Sequence, residues 1–140
     1  LWLDSPEESS LSWVWPEAGT TLFKKNSQGA ALIPQLSDLD HVLFLPKNNY
    51  SCFCKSPLHD TLTAQKIQHV YICGINTDYC VFATALDSFS ATFPTFVVRE
   101  AVSSVRGREA HEEGLRNLER HFGPNAIVTT DDVISSARLG

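Results

Sequence analysis

A cysteine stands where a predicted strand gives way to a predicted helix. The apolar run at residues 70–73 is typical of a buried strand, and Cys80 follows it after a short turn that starts with a glycine. Unpaired backbone N–H groups and the positive end of the helix dipole gather at a helix N-terminus, where they favour a thiolate over a thiol and can stabilise an oxyanion. This placement predicts that Cys80 is a nucleophile.

A second candidate residue, Lys47, directly follows the apolar run at residues 41–45. In a parallel α/β sheet, active sites gather at the carboxyl ends of strands, and both Lys47 and Cys80 fall at such ends. An ammonium group near a cysteine favours the thiolate by charge attraction. Taken alone, Cys80 would be a small buried hydrophobe and Lys47 a solvated loop lysine, so the prediction of one catalytic site depends on the two segments together.

Apolar segments alternate with helical patterns along the chain. We predict strands at residues 41–45, 70–73, 96–98 and 126–128, and helices at residues 30–36, 58–68, 79–91 and 108–122. The residues predicted to face the core from the last two helices are Val81, Phe82, Ala85, Leu86, Phe89, Leu115, Leu118 and Phe122. Cys73 is predicted to be a core residue, and Asp131 or Asp132 to cap a final short helix. This alternation predicts an α/β fold with a parallel sheet.

Composition limits the classes of function. The chain has 140 residues, 43% of them hydrophobic, a net charge of −5 and no basic block, so nucleic acid and anionic membrane are poor partners. No apolar stretch approaches the roughly 20 residues of a membrane span. Four irregularly spaced cysteines favour reduced thiols in a cytoplasmic protein over a disulfide framework. We divide the chain into an irregular segment, residues 1–27, and a single domain, residues 28–140.

Several segments together resemble the isochorismatase-like cysteine hydrolases, which include nicotinamidases, N-carbamoyl amidohydrolases and isochorismatases. The resemblance rests on Lys47 with the Tyr-Ser-Cys-Phe segment at residues 50–53, on Gly-Ile-Asn-Thr-Asp-Tyr-Cys-Val at residues 74–81, and on the Ala-Thr-Ala-Leu-Asp-Ser helix at residues 83–88. It extends over about residues 28–134. It implies a Rossmann-like three-layer sandwich with a mostly parallel sheet.

The resemblance also implies a mechanism. The Cys80 thiolate would attack an amide or ureido carbonyl to give a thioester, and the backbone N–H groups of Asn76 and Cys80 would form the oxyanion hole. Lys47 would stabilise the charged nucleophile, and Phe53 and Tyr79 would contact the substrate. In many relatives the peptide bond that corresponds to the one before Asn76 is cis.

The family's third catalytic residue is an aspartate at the end of its first strand, where it shuttles protons. Residues 1–46 do not contain the helix and strand that separate this aspartate from the lysine in the family, so we expect the chain to lack the first strands of the fold. Asp4 resembles a strand-end aspartate but lacks the Gln and Phe that usually follow it. We expect Asp78 to bond within its own turn, and Asp87 and Glu100 to be structural partners rather than catalysts.

Metal and partner predictions complete the hypothesis. Nicotinamidases carry a metal site with an Asp-x-His motif, whereas the histidines of this chain show no ligand spacing, so we predict neither a metal nor another cofactor. The predicted partners are a small-molecule substrate and, as in many relatives, further copies of the chain. Two alternatives stay open: a non-catalytic truncated homologue that serves as a structural or oligomer-forming subunit, and an isochorismate-type vinyl-ether hydrolase in which the thiol is dispensable.

Overall fold

The computed structural model describes residues 27–37, 39–40 and 42–139. Asp4 and nearly all of the predicted N-terminal segment, residues 1–27, lie outside the described residues. The chain divides into two compact units, Leu1–Leu58 and His59–Gly140. In the ranges that the structure describes, no helix is long and apolar enough to cross a membrane.

The described part of the first unit contains little regular structure. A 3₁₀ turn covers Gln28–Ala30 and a single helical turn, α1, covers Pro34–Ser37. The predicted strand at residues 41–45 is wrong for residues 42–45, which form no strand, and His41 lies outside the described residues. A strand needs a hydrogen-bonded neighbour, and no strand in the described ranges pairs with this run, which leaves Leu43 60% exposed.

The second unit alternates helices with strands. In chain order it contains α2 (Leu58–Ala64, which begins at the boundary between the units), β1 (Val70–Ile75), α3 (Phe82–Ser90), β2 (Thr95–Ser103), α4 (Arg108–Phe122), β3 (Ile127–Val128) and α5 (Thr130–Leu139). The three strands form a parallel sheet in the order β1-β2-β3, with β1 and β2 out of register between Ile72 and Gly74. The predicted α/β class is confirmed.

The core of this unit is small and aliphatic. Its buried members are Ile72, Val81, Ala85, Val97, Val102, Leu115 and Leu118. The prediction for α4 is confirmed, because Leu115 and Leu118 are 2% and 0% exposed and Phe122 packs against the cluster. The helix begins and ends at the predicted residues, 108 and 122. Gly123, with a positive φ of 87°, ends it.

The predicted apolar face of α3 is confirmed in part, because Val81 and Ala85 are buried and Phe82 packs against the core, but two of its residues are exposed. Phe89 and Leu86 are 57% and 40% exposed, whereas Thr84 and Ser88 are buried beside Ala85. The hydroxyl of Thr95 at the start of β2 donates a hydrogen bond of 2.8 Å to Ser88 Oγ. Small hydrogen-bonded side chains therefore let α3 lie close to β2, whereas Leu86 and Phe89 stay largely exposed.

Cys73 is not a core residue. It is exposed, like Tyr71 two positions before it, while Ile72 between them is buried. Side chains alternate between the two faces of a strand, so β1 buries only one face among the described residues. Partial desolvation still raises the pKa of the Cys73 thiol above its ordinary value.

Two carboxylates fix the start of α5. Asp132 Oδ2 accepts hydrogen bonds from Thr129 N at 2.8 Å and Thr129 Oγ1 at 2.7 Å, and Asp132 N donates to the same hydroxyl at 3.2 Å. This reciprocal arrangement is a capping box, in which Thr129 rather than an aspartate is the cap. Glu100 Oε2 on β2 accepts a further bond from Thr130 N at 3.0 Å, which gives Glu100 the structural role predicted for it.

We expect α5 to loosen in acid, and Glu100→Gln to reduce this effect. Hydrogen bonds from its own backbone and from Thr130 lower the pKa of Glu100, so its contribution to stability is present above the ordinary value of about 4.3. That contribution is lost as the pH falls through the lowered folded-state pKa. The melting temperature measured from about pH 6 to pH 3 should fall less steeply for Glu100→Gln than for the wild type.

A matched control is Glu113→Gln, which neutralises an exposed carboxylate on α4. This variant should follow the wild-type acid profile. Equal acid slopes for Glu100→Gln and the wild type would show that the bond between Glu100 and Thr130 does not hold the helix.

Candidate active site

Cys80 lies in a π-helical turn, Thr77–Val81, between β1 and α3. The sequence pattern predicted a helix from residue 79, and the π turn was not predicted. Two N–H groups on either side of the cysteine, those of Tyr79 and Val81, donate to the Asn76 carbonyl oxygen at 3.1 and 3.0 Å. The peptide bond between Ile75 and Asn76 is cis, as the resemblance implied. Cys80 itself is half-buried.

Asn76 and Thr77, at the start of the turn, are hydrogen-bonded to residues about 30 positions later in the sequence. Asn76 Oδ1 accepts a hydrogen bond from Val105 N at 3.0 Å. The hydroxyl of Thr77, which is 0% exposed, is hydrogen-bonded to His111 Nδ1 at 2.8 Å. Both partners belong to residues 105–114, the loop after β2 and the first half of α4, which we call the anchor segment.

Asp78 and Tyr79 share an arginine of the same anchor segment. Arg106 donates through one nitrogen to Asp78 Oδ2 and to the Tyr79 hydroxyl, each at 3.1 Å. Its guanidinium carbon lies 5.4 Å from the centroid of the Tyr79 ring, a cation–π contact. Asp78 was expected to bond within its own turn, and this was wrong. Its side chain is 12% exposed and needs a cation, since burial of an unpaired charge is costly.

Gly114 lets α4 come close to the turn. A Cβ atom at this position would lie 2.9 Å from Asp78 N and 3.0 Å from the carbonyl carbon of Thr77. These are backbone atoms, so a side chain at position 114 would require the turn to move. The anchor segment therefore contacts each of the four residues that precede Cys80.

The remaining predicted site residues belong to the first unit. Lys47 is half-buried, and its Nζ donates to the carbonyl oxygens of Asn49 at 2.9 Å and Tyr50 at 3.3 Å. Phe53 is half-buried as well, and its N–H donates to Ser51 Oγ at 3.1 Å. The ammonium group is thus fixed within residues 47–50, in the segment on which the resemblance rests.

Three of the predicted site residues lie close together in the chain: Asn76 directly precedes the π turn, and Tyr79 and Cys80 lie within it. Among the described residues, no group of three histidine, cysteine or acidic side chains is placed to hold a metal ion. Sequence reasoning missed the anchor residues Arg106 and Gly114, and it gave His111 no role. A glycine in the interior of a helix was the available signal, since it often marks a close approach.

The chain belongs to the isochorismatase family, because the profile of the isochorismatase domain matches residues 11–132. The ureidoacrylate amidohydrolase RutB of Cronobacter turicensis is 32% identical over 125 residues, which make up 89% of this chain and 54% of that protein. The RutB protein of Variovorax paradoxus is 29% identical and is matched over 47% of its length by 86% of this chain. The chain thus spans about half the length of the curated relatives it matches.

Solved structures show the same fold. An isochorismatase-like hydrolase from Alkaliphilus metalliredigens superposes with a TM-score of 0.74 at 26% identity, over 81% of this chain and 61% of the other. The nicotinamidase PncA from Bacillus subtilis superposes with a TM-score of 0.69 at 26% identity, over 77% of this chain and 62% of that chain. Both the family and the α/β fold predicted from the sequence are confirmed.

Proposed function

We propose that this chain is the catalytic part of a hydrolase that uses Cys80 to cleave a C–N bond in a small amide or ureido compound. The observation that carries the proposal is a half-buried cysteine in a π turn at the carboxyl end of a parallel strand, where active sites of α/β folds gather. Two groups of relatives support the substrate class, since they are named ureidoacrylate amidohydrolases and nicotinamidases.

The reaction has two halves. In the first, the Cys80 thiolate attacks the carbonyl carbon, a C–S bond forms, and the C–N bond breaks as the amine leaves with the proton that the thiol gave up. In the second, water attacks the acyl carbon, a C–O bond forms, and the C–S bond breaks to restore the thiolate, while one proton of the water leaves with the acid product and the other passes to solvent. The backbone N–H groups of Asn76 and Cys80 stabilise the oxyanion of both tetrahedral intermediates.

Lys47, Phe53 and Tyr79 take the roles that the resemblance implies for them. Lys47 supplies a fixed positive charge that stabilises the thiolate. Two carbonyl oxygens hold its ammonium group within residues 47–50. Phe53 and Tyr79 contact the substrate, and the bond from Arg106 to the Tyr79 hydroxyl keeps that ring in one orientation.

The test is ammonia release by the full chain from a small panel: ureidoacrylate, its saturated ureido analogue and nicotinamide. Hydrolysis of either a ureido group or a primary amide releases ammonia, so one assay covers both classes. Turnover of one of these compounds supports the proposal. Ammonia release no faster than in buffer with every compound would refute it for this chain.

We expect Lys47→Met to slow the reaction of Cys80 with iodoacetamide at pH 7 several-fold relative to its rate at high pH. The change removes the charge that stabilises the thiolate and keeps a side chain of similar length. Alkylation is read after digestion with chymotrypsin, because a cut after Tyr79 separates Cys80 from Cys73 and so from the other three thiols. On a substrate found by the panel, kcat/KM should fall by about 10²-fold.

A suitable control is Lys55→Met, which removes an exposed charge in the same unit. This control should leave both rates unchanged. If Lys47→Met behaved like Lys55→Met, Lys47 would have no part in activating the thiol.

A further inference from the structure

We propose that His111 and Thr77 are positioning residues, whose hydrogen bond holds the Cys80 turn in its reactive geometry. The inference deepens the proposed hydrolase function and rests on it. In this proposal neither side chain contacts the substrate. Their role is to fix the backbone on which the nucleophile and the oxyanion hole are built.

The bond is placed to have this effect. Thr77 begins the π turn, follows Asn76 directly and precedes Cys80 by three residues. Any rotation of Thr77 therefore moves the N–H groups proposed for the oxyanion hole. Such donors act only within about 2.7–3.1 Å of the developing charge, and a misplacement of about 1 Å can cost 10²-fold in rate.

The buried hydroxyl of Thr77 needs this hydrogen bond. Thr77 is 0% exposed, and a buried hydroxyl is costly unless it is hydrogen-bonded. Its partner in the described part of the chain is His111 Nδ1 at 2.8 Å, 34 residues away in the sequence. The hydroxyl thus fixes the side-chain rotamer of Thr77 as well as its distance from α4.

A second observation on α4 points to the same role. Gly114 lies three positions after His111 and so on the same face of the helix. Its missing side chain lets the helix backbone reach Thr77 and Asp78 at about van der Waals contact. One face of α4 therefore supplies both the space for the turn and the hydrogen bond that orients it.

Four variants separate hydrogen bonding from volume. Thr77→Val keeps the shape and loses the hydroxyl, whereas Thr77→Ser keeps the hydroxyl. His111→Leu loses the bond, whereas His111→Asn carries a polar atom near the position of Nδ1. For each variant, kcat and KM on a panel substrate and the rate of Cys80 alkylation are measured at 25 °C, together with the melting temperature.

We expect Thr77→Val and His111→Leu to lower kcat by about 10- to 100-fold while KM changes less than about threefold. Thr77→Ser and His111→Asn should recover most of the loss. The double variant Thr77→Val/His111→Leu should be no slower than either single one, because both break the same bond. Cys80 alkylation at pH 7, relative to its rate at high pH, should follow the order of kcat.

The inference is overturned if the variants melt at lower temperature but keep the wild-type kcat and alkylation rate, since the bond would then be merely structural. It is also overturned if the two single losses multiply in the double variant. If His111→Leu does not fold, His111→Gln replaces it. The glutamine amide lies near the position of Nε2 rather than Nδ1, so this variant should be as slow as His111→Leu was expected to be.

Failure of the proposed hydrolase function would look different. In that case the wild type turns over no panel compound, and the alkylation experiment decides alone. A slower reaction of Cys80 in His111→Leu that recovers in His111→Asn would support the positioning role, and equal rates in all variants would refute it.

Discussion

Replacing Cys80 with alanine is expected to lower kcat/KM on the panel substrate by about 10⁴-fold or more. The proposed reaction passes through a C–S bond, and alanine offers no atom that can form it. Cys80 is only half-buried and lies on a turn, so loss of its sulfur should cost little stability, about 1 kcal/mol. The loss of turnover and the retained melting temperature together distinguish a nucleophile from a packing residue.

Cys73→Ala is the matched control. Cys73 lies seven residues earlier, is exposed on β1, and has a thiol whose pKa is raised by desolvation, so less of it is ionised at neutral pH. Its removal should leave turnover within about twofold of the wild type. Equal losses in the two variants would mean that a general effect of thiol removal had been measured.

Retained activity in Cys80→Ala would have a specific meaning. Vinyl-ether hydrolysis of the isochorismate type does not need the thiol, so if isochorismate is assayed beside the panel, its turnover by the alanine variant would favour that chemistry over amide cleavage. If wild type and variant were both inactive on every compound while Cys80 stayed unreactive, the structural-subunit hypothesis would be favoured. The same variant thus separates the three hypotheses that the sequence left open.

Local signals predicted the parts of the molecule that depend on local interactions. Apolar residues at helical spacing and a glycine stop predicted both ends of α4. The short run before Cys80 predicted β1, although the strand continues to Ile75. The pattern around positions 74–81 predicted that Cys80 lies between a strand and a helix, and the cis bond implied by the resemblance is present.

Interactions between residues far apart in the sequence could not be predicted from local patterns. An apolar run such as residues 42–45 is compatible with a strand, but its pairing depends on a neighbour that the run itself does not specify. The partners of Thr77 and Asp78 lie 34 and 28 residues away, and no local pattern selects His111 or Arg106 for them. The prediction for α3 was wrong only at Leu86 and Phe89, which are exposed, and it was right at Phe82 and Ala85.

Gly114→Ala tests the close approach of α4, and two effects with opposite signs are in competition. Alanine in a helix interior is favoured over glycine by about 1 kcal/mol. The added Cβ would lie 2.9 Å from Asp78 N and 3.0 Å from two atoms of Thr77. Forcing extra volume into a packed contact costs about 1–3 kcal/mol, and most of this clash is with backbone, which cannot rotate away.

We therefore expect Gly114→Ala to lower the free energy of unfolding by up to about 2 kcal/mol, and kcat by about 10²-fold as the turn shifts. Chemical denaturation gives the first quantity and the panel substrate the second. Glu113→Ala is the control, since it changes the neighbouring exposed position of the same helix and should change neither much. A variant more stable than the wild type with unchanged turnover would show that helix propensity dominates and that α4 does not constrain the turn. The sign of the stability change therefore decides whether the Cys80 turn is fixed by α4 or by its own backbone.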